Sequence, residues 1–438
     1  MMKKDFDPGA LALLPFGIFL LFYLGLSLWS RDFYAIPMPA AFIVASAAAL
    51  FMGKGTLEEK IGLYARSMGE NNIMTMVLIF ILAGAFAAVA QGSGAVDAAV
   101  NISRHLIPGK FFAGGLFLVS CFISLAIGTS CGTVAALVPI AAGLAKASGT
   151  DGALMLGAVV GGAMFGDNIS MISDTTIAAT RTQEAAMKDK FRINMRIALP
   201  AALAVLVLML FSGGTASVPQ PPPLAGKDLL LILPYIAILV CALLGMNVML
   251  LLFAGTVAAL LIGSCCGSLT LLNGIGIAGK GTLSMAETLI VALLAGGLLG
   301  TIRNNGGIDF LIRLIEKKIT SPGACEAGCA FLTALVNLFT ANNTVAIVIA
   351  GPVARELALK YRCDNRRMAA ILDCASCIVQ GMIPYGAQIL IALGLAQSSG
   401  LAVSAGGLIA KLYYPMFLTV GLVIFILTGT SGQKAEKE

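Results

Sequence analysis

Residues 166–176 read Gly166-Asp167-Asn168-Ile169-Ser170-Met171-Ile172-Ser173-Asp174-Thr175-Thr176, a polar cluster set between the apolar stretches Met155–Phe165 and Ile177–Ala179. A carboxylate at the centre of a bilayer costs about 2.5–3.5 kcal/mol, so two kept there would be held for a purpose. Oxygen-bearing side chains suit a hard cation such as Na+, and a helix broken at this point would add freed backbone carbonyls to the ligand set. Asp167 and Asp174 are therefore the candidate metal ligands, with Asn168, Ser170, Ser173 and Thr175 beside them. On a continuous helix the two carboxylates lie two turns apart on one face, whereas on a broken one they flank the unwound segment. In the competing reading the same residues cap two helix ends in an aqueous loop. Against that reading, the loops of this chain carry Lys or Arg, and this stretch has neither before Arg181.

Two more apolar stretches, 112–147 and 325–360, are broken in the middle by polar residues. The first break reads Gly128-Thr129-Ser130-Cys131-Gly132-Thr133 and the second Asn337-Leu338-Phe339-Thr340-Ala341-Asn342-Asn343-Thr344. Each is read as a helical hairpin that enters and leaves on one side. Arms ending mid-membrane aim the positive ends of their helices at any anion bound there. The side chains of Thr129, Ser130, Thr133, Asn337, Asn342, Asn343 and Thr344 can hydrogen-bond a solute or lend oxygens to a cation. As plain helix caps they would do neither. Asp373 precedes Pro384 in a further interrupted stretch, and reads as a second-half partner of Asp167 or as a helix-end residue at the inner surface.

Other chemistry is thinly represented. His105, the only histidine, stands beside Arg104 in an amphipathic, loop-like segment and reads as solvated. The ten cysteines lie mostly among apolar neighbours, where a thiol acts as a small hydrophobe. Cys325 and Cys329, and Cys374 and Cys377, have tempting spacings but no histidine cluster for zinc and no redox context. With no nucleophile–base pair either, an enzyme is not expected, nor a cofactor.

The elements that must position these residues are membrane helices. Hydrophobic residues make up 58% of the chain and charged ones 11%, against roughly 25% charged in a soluble domain. Only helices or closed barrels satisfy their backbone groups in lipid, and alternating strands are absent, so the class is an all-α polytopic membrane protein. About ten spans are expected in addition to the two re-entrant hairpins, from apolar runs long enough to cross the hydrocarbon core. They fall near 10–29, 36–52, 72–91, 153–180, 194–212, 229–246, 248–264, 286–303, 368–398 and 408–428. Lys3 and Lys4 precede a long first run without a clear cleavage site, which is read as a retained helix.

Charge in the loops gives an orientation. Predicted inner loops hold Lys54, Lys60 and Arg66, then Arg181, Lys188, Lys190, Arg192 and Arg196, then Arg303, Arg313, Lys317 and Lys318, then Arg355, Lys360, Arg362, Arg366 and Arg367, with Lys434 and Lys437 at the C-terminus. Outer loops are poorer, holding Arg31, Arg104, Lys110, Lys146, Lys227 and Lys280. The positive-inside rule puts both termini in the cytoplasm and accounts for the net charge of +6 without nucleic acid.

Two segments read alike. Leu82-Ala83-Gly84 runs on to Gln91-Gly92-Ser93-Gly94-Ala95-Val96-Asp97, and Leu294-Ala295-Gly296 to Arg303-Asn304-Asn305-Gly306-Gly307-Ile308-Asp309. Each is followed by a hairpin with Thr-Val-Ala after its break (Thr133-Val134-Ala135, Thr344-Val345-Ala346) and then by a span interrupted at Ile172-Ser173-Asp174 or Ile383-Pro384-Tyr385. Opposite orientations make these inverted repeats, whose broken helices mark a midplane site in transporters. The organisation is then 1–60, N-terminal scaffold helices; 61–212, first repeat; 213–274, linker (Pro-rich at Pro219–Pro223) and scaffold helices; and 275–438, second repeat. Gly157, Gly161, Gly162 and Gly166 are spaced for close helix contact around the first broken span.

Gly166-Asp167-Asn168 with Ser170-Met171-Ile172-Ser173-Asp174-Thr175-Thr176 resembles the signature of NhaC-type sodium–proton antiporters, and Gly128-Thr129-Ser130-Cys131-Gly132-Thr133 followed by Pro139 is similar to another stretch of that family. The likeness covers most of the chain from about Gly53 onward. Asn342-Asn343-Thr344 is similar to a hairpin signature of dicarboxylate carriers in the same superfamily. Met171 stands where proline is expected, and Tyr385 where tryptophan is expected after Pro384. The resemblance implies a bacterial inner-membrane carrier with a transport domain moving against a scaffold. The expected function is exchange of Na+ for H+, with Asp167 and Asp174 binding Na+ when ionised and H+ when neutral. The alternative is a Na+-coupled carrier of an amino acid or small organic acid, bound by the two hairpin tips. A homodimer is compatible with either.

Overall fold

The computed structural model of the protein describes residues 9–30, 37–171, 173–212, 221–244, 246–317 and 319–429. Lys3, Lys4, Arg31, Ile172, Pro219, Lys318, Lys434 and Lys437 lie outside them. Among the described residues the regular elements are all helices. The first are α1 (Leu14–Ser30), α2 (Met38–Phe51) and the amphipathic α3 (Leu57–Met68), followed by α4 (Asn71–Gly92) and α5 (Ala95–Leu106). The chain then folds the hairpin α6 (Phe112–Ile127) and α7 (Ser130–Ser148), the interrupted pair α8 (Gly152–Ile169) and α9 (Asp174–Gln183), and the long α10 (Met187–Ser212). Four helices connect the halves: α11 (Gly226–Leu231), α12 (Leu233–Leu243), α13 (Val248–Cys265) and α14 (Leu271–Ser284).

The second half runs through the same kinds of element in the same order. It has α15 (Ala286–Asn304), α16 (Gly307–Glu316), the hairpin α17 (Pro322–Thr340) and α18 (Asn343–Tyr361), and the interrupted pair α19 (Asn365–Met382) and α20 (Ala387–Ser398). The short α21 (Ala405–Ala410) and α22 (Tyr413–Thr428) end it. The backbone corresponds down to single residues. Helices α5 and α16 both start from a left-handed glycine, Gly94 at φ +84° and Gly306 at φ +79°.

Nine helical stretches among the described residues are long and apolar enough to cross a membrane, and three shorter apolar helices accompany them. The expected spans and hairpins all fall on helices. Helices α3, α5, α14 and α16 were not expected, since each is short or mixed in polarity and so falls below the length of an apolar run that marks a span. The start of α3 is nonetheless well specified: Thr56 and Glu59 close a reciprocal capping box.

The two interrupted helices run through the interior. In their most apolar windows, 88% of positions in Gly152–Gln183 and 72% in Asn365–Ser398 are buried within the protein, against 33% in Met187–Ser212, which keeps a lipid-type face. Helix α6 approaches α8 backbone to backbone at Gly162 and Gly166, where an added Cβ would strike Phe117 O and Ser124 Oγ. Ser120 and Ser124 seal the contact by donating to the carbonyls of Val159 and Ala163, each at 2.6 Å. Two packing contacts tie the halves and the connection together. Helix α14 packs on α4, and α3 packs on α15, where the Tyr64 hydroxyl donates to Leu294 O at 2.8 Å.

Candidate ion-binding site

The site is built by four breaks in helices. Helix α6 ends at Gly128 in the left-handed conformation (φ +73°), Thr129 is extended, and α7 begins at Ser130. The second hairpin turns the same way, through Ala341 (φ +47°) and extended Asn342 into α18. Helix α8 gives way at Ser170 (φ −64°, ψ 130°) and resumes after Ser173; α19 gives way at Ile383 (φ −93°, ψ 129°) and resumes after Gly386.

Asp167 lies in the last turn of α8, buried, with the tip of the first hairpin against it. The Ser130 backbone N–H donates to its Oδ1 at 3.0 Å and the Ser130 hydroxyl to its Oδ2 at 2.5 Å. The positive end of α7 thus faces a carboxylate of the chain itself. Ser130 Oγ accepts from Gln388 Nε2 at 2.8 Å, Gln388 Oε1 accepts from Gln380 Nε2 at 3.0 Å, and Gln380 Nε2 also donates to Ala341 O at 2.9 Å. This chain of donors joins the two hairpin tips through the second interrupted helix and ends on Asp167.

A cavity of about 130 Å³ opens beside it. Of the residues expected from sequence, it is lined by Thr129, Ser130, Asp167, Ser173, Asp174, Thr175, Asn342, Asn343 and Thr344, so both tips and the first break meet there. Asp167 and Asp174 flank the unwound segment; Asp174 opens α9 and is exposed, while Asp167 is buried. Thr75, Met76, Ile79, Gly128, Cys131 and Gln388 complete the lining. The amide tip is largely occupied with its own helix: Asn342 Oδ1 accepts from Val345 N–H at 3.0 Å and Asn343 Oδ1 from Thr344 N–H at 3.1 Å.

Five expected residues lie outside the lining. Thr133 donates to Thr129 O within α7, Ser170 to Leu125 O, and Asn337 Nδ2 to Ser376 O. Asn168 and Asp373 belong to a separate buried cluster. Asp373 lies in the middle of α19 and is fully buried. Its Oδ2 is 2.8 Å from Lys190 Nζ and accepts from Asn194 Nδ2 at 2.7 Å. Lys190, expected in an inner loop, is 1% exposed, because α10 begins earlier than its apolar run and carries Lys190 and Asn194 on the buried stripe with Ile197 and Ala201. The residue that stands where Asp167 does, in the last turn before the break, is Gln380. The interruptions as the sequence sets them, Ile172 against Ile383, put Ile378 opposite Asp167, so Gln380 emerges only from where the helices end, at Ser170 and Ile383.

Residues 33–214 and 226–433 match the Na+/H+ antiporter family. The chain belongs to that family. It is 26% identical over 396 residues to the Na+/H+ antiporter NhaC of Alkalihalophilus pseudofirmus, covering 83% of each chain. It is 27% identical over 428 residues to the NhaC of Bacillus subtilis, covering 90% of this chain and 91% of that one. A malate-2H+/Na+-lactate antiporter of Bacillus subtilis is 22% identical over 357 residues, covering 72% of this chain and 74% of that protein. The family is one of membrane antiporters, not of enzymes, and this member is an all-α, multi-pass membrane protein.

Both departures from the family pattern have a structural setting in this antiporter-family chain. Met171, in place of proline, lies exposed in the first break. The break stands without proline because its freed carbonyls are met by side chains. Thr175 Oγ1 donates to Asp167 O at 3.2 Å, while Lys190 Nζ and Asn194 Nδ2 donate to Asn168 O at 2.9 and 2.7 Å. Tyr385, in place of tryptophan, is buried with its ring edge-on to Phe19 and Phe42, and its hydroxyl donates to Leu338 O at 2.6 Å. It ties the second break to the N-terminal helices and to the end of α17.

Proposed function

We propose that the protein exchanges Na+ for H+ at Asp167, with Asp174 and the oxygens of the tip and break residues completing the cation's surroundings. The observation that carries this reading is the charge of the cavity. Among the described residues its lining holds two carboxylates and no Lys, Arg or His, so a cation is favoured and an anion repelled. Ionised, Asp167 keeps both Ser130 donors and leaves lone pairs for Na+; protonated, it has lost the charge that holds the ion. One carboxylate serving both ions in turn is sufficient for exchange, provided only loaded forms reorient. The two halves are read as inverted repeats, with the hairpins re-entrant and the breaks near the midplane, as alternating access requires. Both termini are assigned to the cytoplasm of a bacterial inner membrane, on loop charge.

An organic-acid or amino-acid carrier is the second reading, favoured by the amide-rich tip that reaches the same cavity. Against an anionic solute, Ser130 N–H at the first tip and Thr344 and Val345 N–H at the second are already engaged, by Asp167, Asn343 and Asn342. Proteoliposomes with an imposed Na+ gradient and an internal pH dye test the choice. A pH change without any organic solute is expected. A response that appears only when malate, lactate or amino acids are added would replace the first reading by the second.

A further inference from the structure

The break in α8 builds a second oxygen cage, outside the lining of the cavity, and a side chain of the protein fills it. Lys190 Nζ lies 2.7 Å from Thr176 Oγ1, 2.8 Å from Asp373 Oδ2 and 2.9 Å from Asn168 O. A freed backbone carbonyl, a hydroxyl and a carboxylate form the ligand set a monovalent metal cation would take. Three donated bonds use all three N–H groups of an ammonium. The cage adjoins the ion site in the chain: Asn168 follows Asp167 and Thr176 follows Thr175. Acceptors are also in excess. Asp373 Oδ1 and Asn168 Oδ1 are buried with no hydrogen-bond partner among the described residues, although buried polar atoms are nearly always paired.

We propose that Lys190 is a tethered cation occupying a second monovalent-cation site, so that one site exchanges ions and the other carries a fixed charge. A plain staple between α10 and α19 would need only the carboxylate. Here the ammonium instead sits among oxygens from both sides of the break, and Asn194 donates to two of the same acceptors, Asn168 O and Asp373 Oδ2. The inference rests on the Asp167 reading only in its count of exchanged ions, since the cage itself is independent of Asp167.

Equilibrium binding of radioactive Na+ to the purified full chain tests it. The unaltered protein should bind one Na+ and Lys190→Ala two. The double variant Asp167→Asn/Lys190→Ala should bind one and Asp167→Asn none. Methylammonium should compete with Na+ for the site that Lys190→Ala opens and should raise that variant's melting temperature, but not that of the unaltered protein. Lys190→Ser, which returns a hydroxyl, is the second variant should Lys190→Ala not fold. Two Na+ in the unaltered protein would overturn the proposal. So would a folded Lys190→Ala or Lys190→Ser that binds no additional Na+ and ignores methylammonium, and so would failure of both variants to fold even with Na+ or methylammonium present. Na+ bound by Asp167→Asn/Lys190→Ala, but equally by Asp167→Asn alone and the unaltered protein, would overturn both readings; one Na+ in that double variant with none in the unaltered protein would remove Asp167 as a site and leave the Lys190 cage standing.

Discussion

The two interrupted helices have nearly the same backbone and unlike chemistry. Each loses its helix in an extended residue, Ser170 or Ile383, and each faces a hairpin tip that turns through a left-handed residue. In the last turn before the break one carries Asp167 and the other Gln380. The carboxylate accepts, from Ser130. The amide donates, to Ala341 O and Gln388 Oε1. Two breaks of like backbone thus differ in charge: the first sets a carboxylate on the cavity, and the second sets an amide that joins the two tips.

Removing the charge should have the largest effect. Asp167→Asn keeps the shape of the side chain but offers an ion no charge, and exchange measured by internal pH in proteoliposomes should fall by about 100-fold or more, since each 1.4 kcal/mol of lost ion binding is a factor of ten. A variant that folds normally and exchanges at the unaltered rate would end the assignment of the site to the first half. Next comes an attempt to make the second half resemble the first. Gln380→Glu is nearly isosteric but sets a carboxylate against the Ala341 carbonyl and the Gln388 amide oxygen, both acceptors. It should destabilise the protein by about 1–3 kcal/mol, seen as a lower melting temperature. Recovery of exchange when Gln380→Glu is added to Asp167→Asn would show the halves to be interchangeable.

A smaller change is expected at Gln388, which lines the cavity and reaches Asp167 through the Ser130 hydroxyl. Gln388→Leu leaves both Ser130 donors on Asp167 but removes the group that holds the Ser130 hydroxyl from behind and leaves a Gln380 N–H without its acceptor. The Na+ concentration for half-maximal exchange should rise by about tenfold, on the scale of one buried hydrogen bond. An unchanged half-saturation would mean that the chain of amides does not position the hydroxyl.

How much of this was legible depended on what a residue costs in lipid. Asp167 and Asp174 stood out because charge amid apolar sequence is expensive, and the apolar runs placed α4, α13, α15 and both interrupted helices close to where they lie. Gln380 and Gln388 did not stand out, since a neutral amide in a helix is unremarkable until its partners are known. Lys190 was misread for a stronger reason. Counting basic residues assigns them to loops by default, and only the three-dimensional meeting of Asn168, Thr176 and Asp373 makes burial of an ammonium tolerable. The short helices α3, α5, α14 and α16 carry too little apolar length to be read as spans, and their places depend on packing: α3 on α15, α14 on α4, α5 on α7 and α11, and α16 on α17.

The finest distinction between the halves is at the hairpin tips, and it tests how faithfully the frame was copied. The first tip turns through Gly128, which takes φ +73° without strain; the second turns through Ala341 at φ +47°, where a Cβ crowds the following carbonyl. That conformation costs an L-residue about 1–2 kcal/mol. Ala341→Gly should recover part of this, reduced by the greater freedom of glycine in the unfolded chain, and raise the melting temperature by roughly 1–2 °C in a protein of this size. Gly128→Ala should move it the other way by at least as much, because it sets a Cβ at φ +73° where the glycine has none. A second tip that melts lower with glycine would mean that the Ala341 methyl, packed among the aromatic side chains around Tyr385, contributes more than its backbone strain costs. The two tips would then hold the same turn for different reasons.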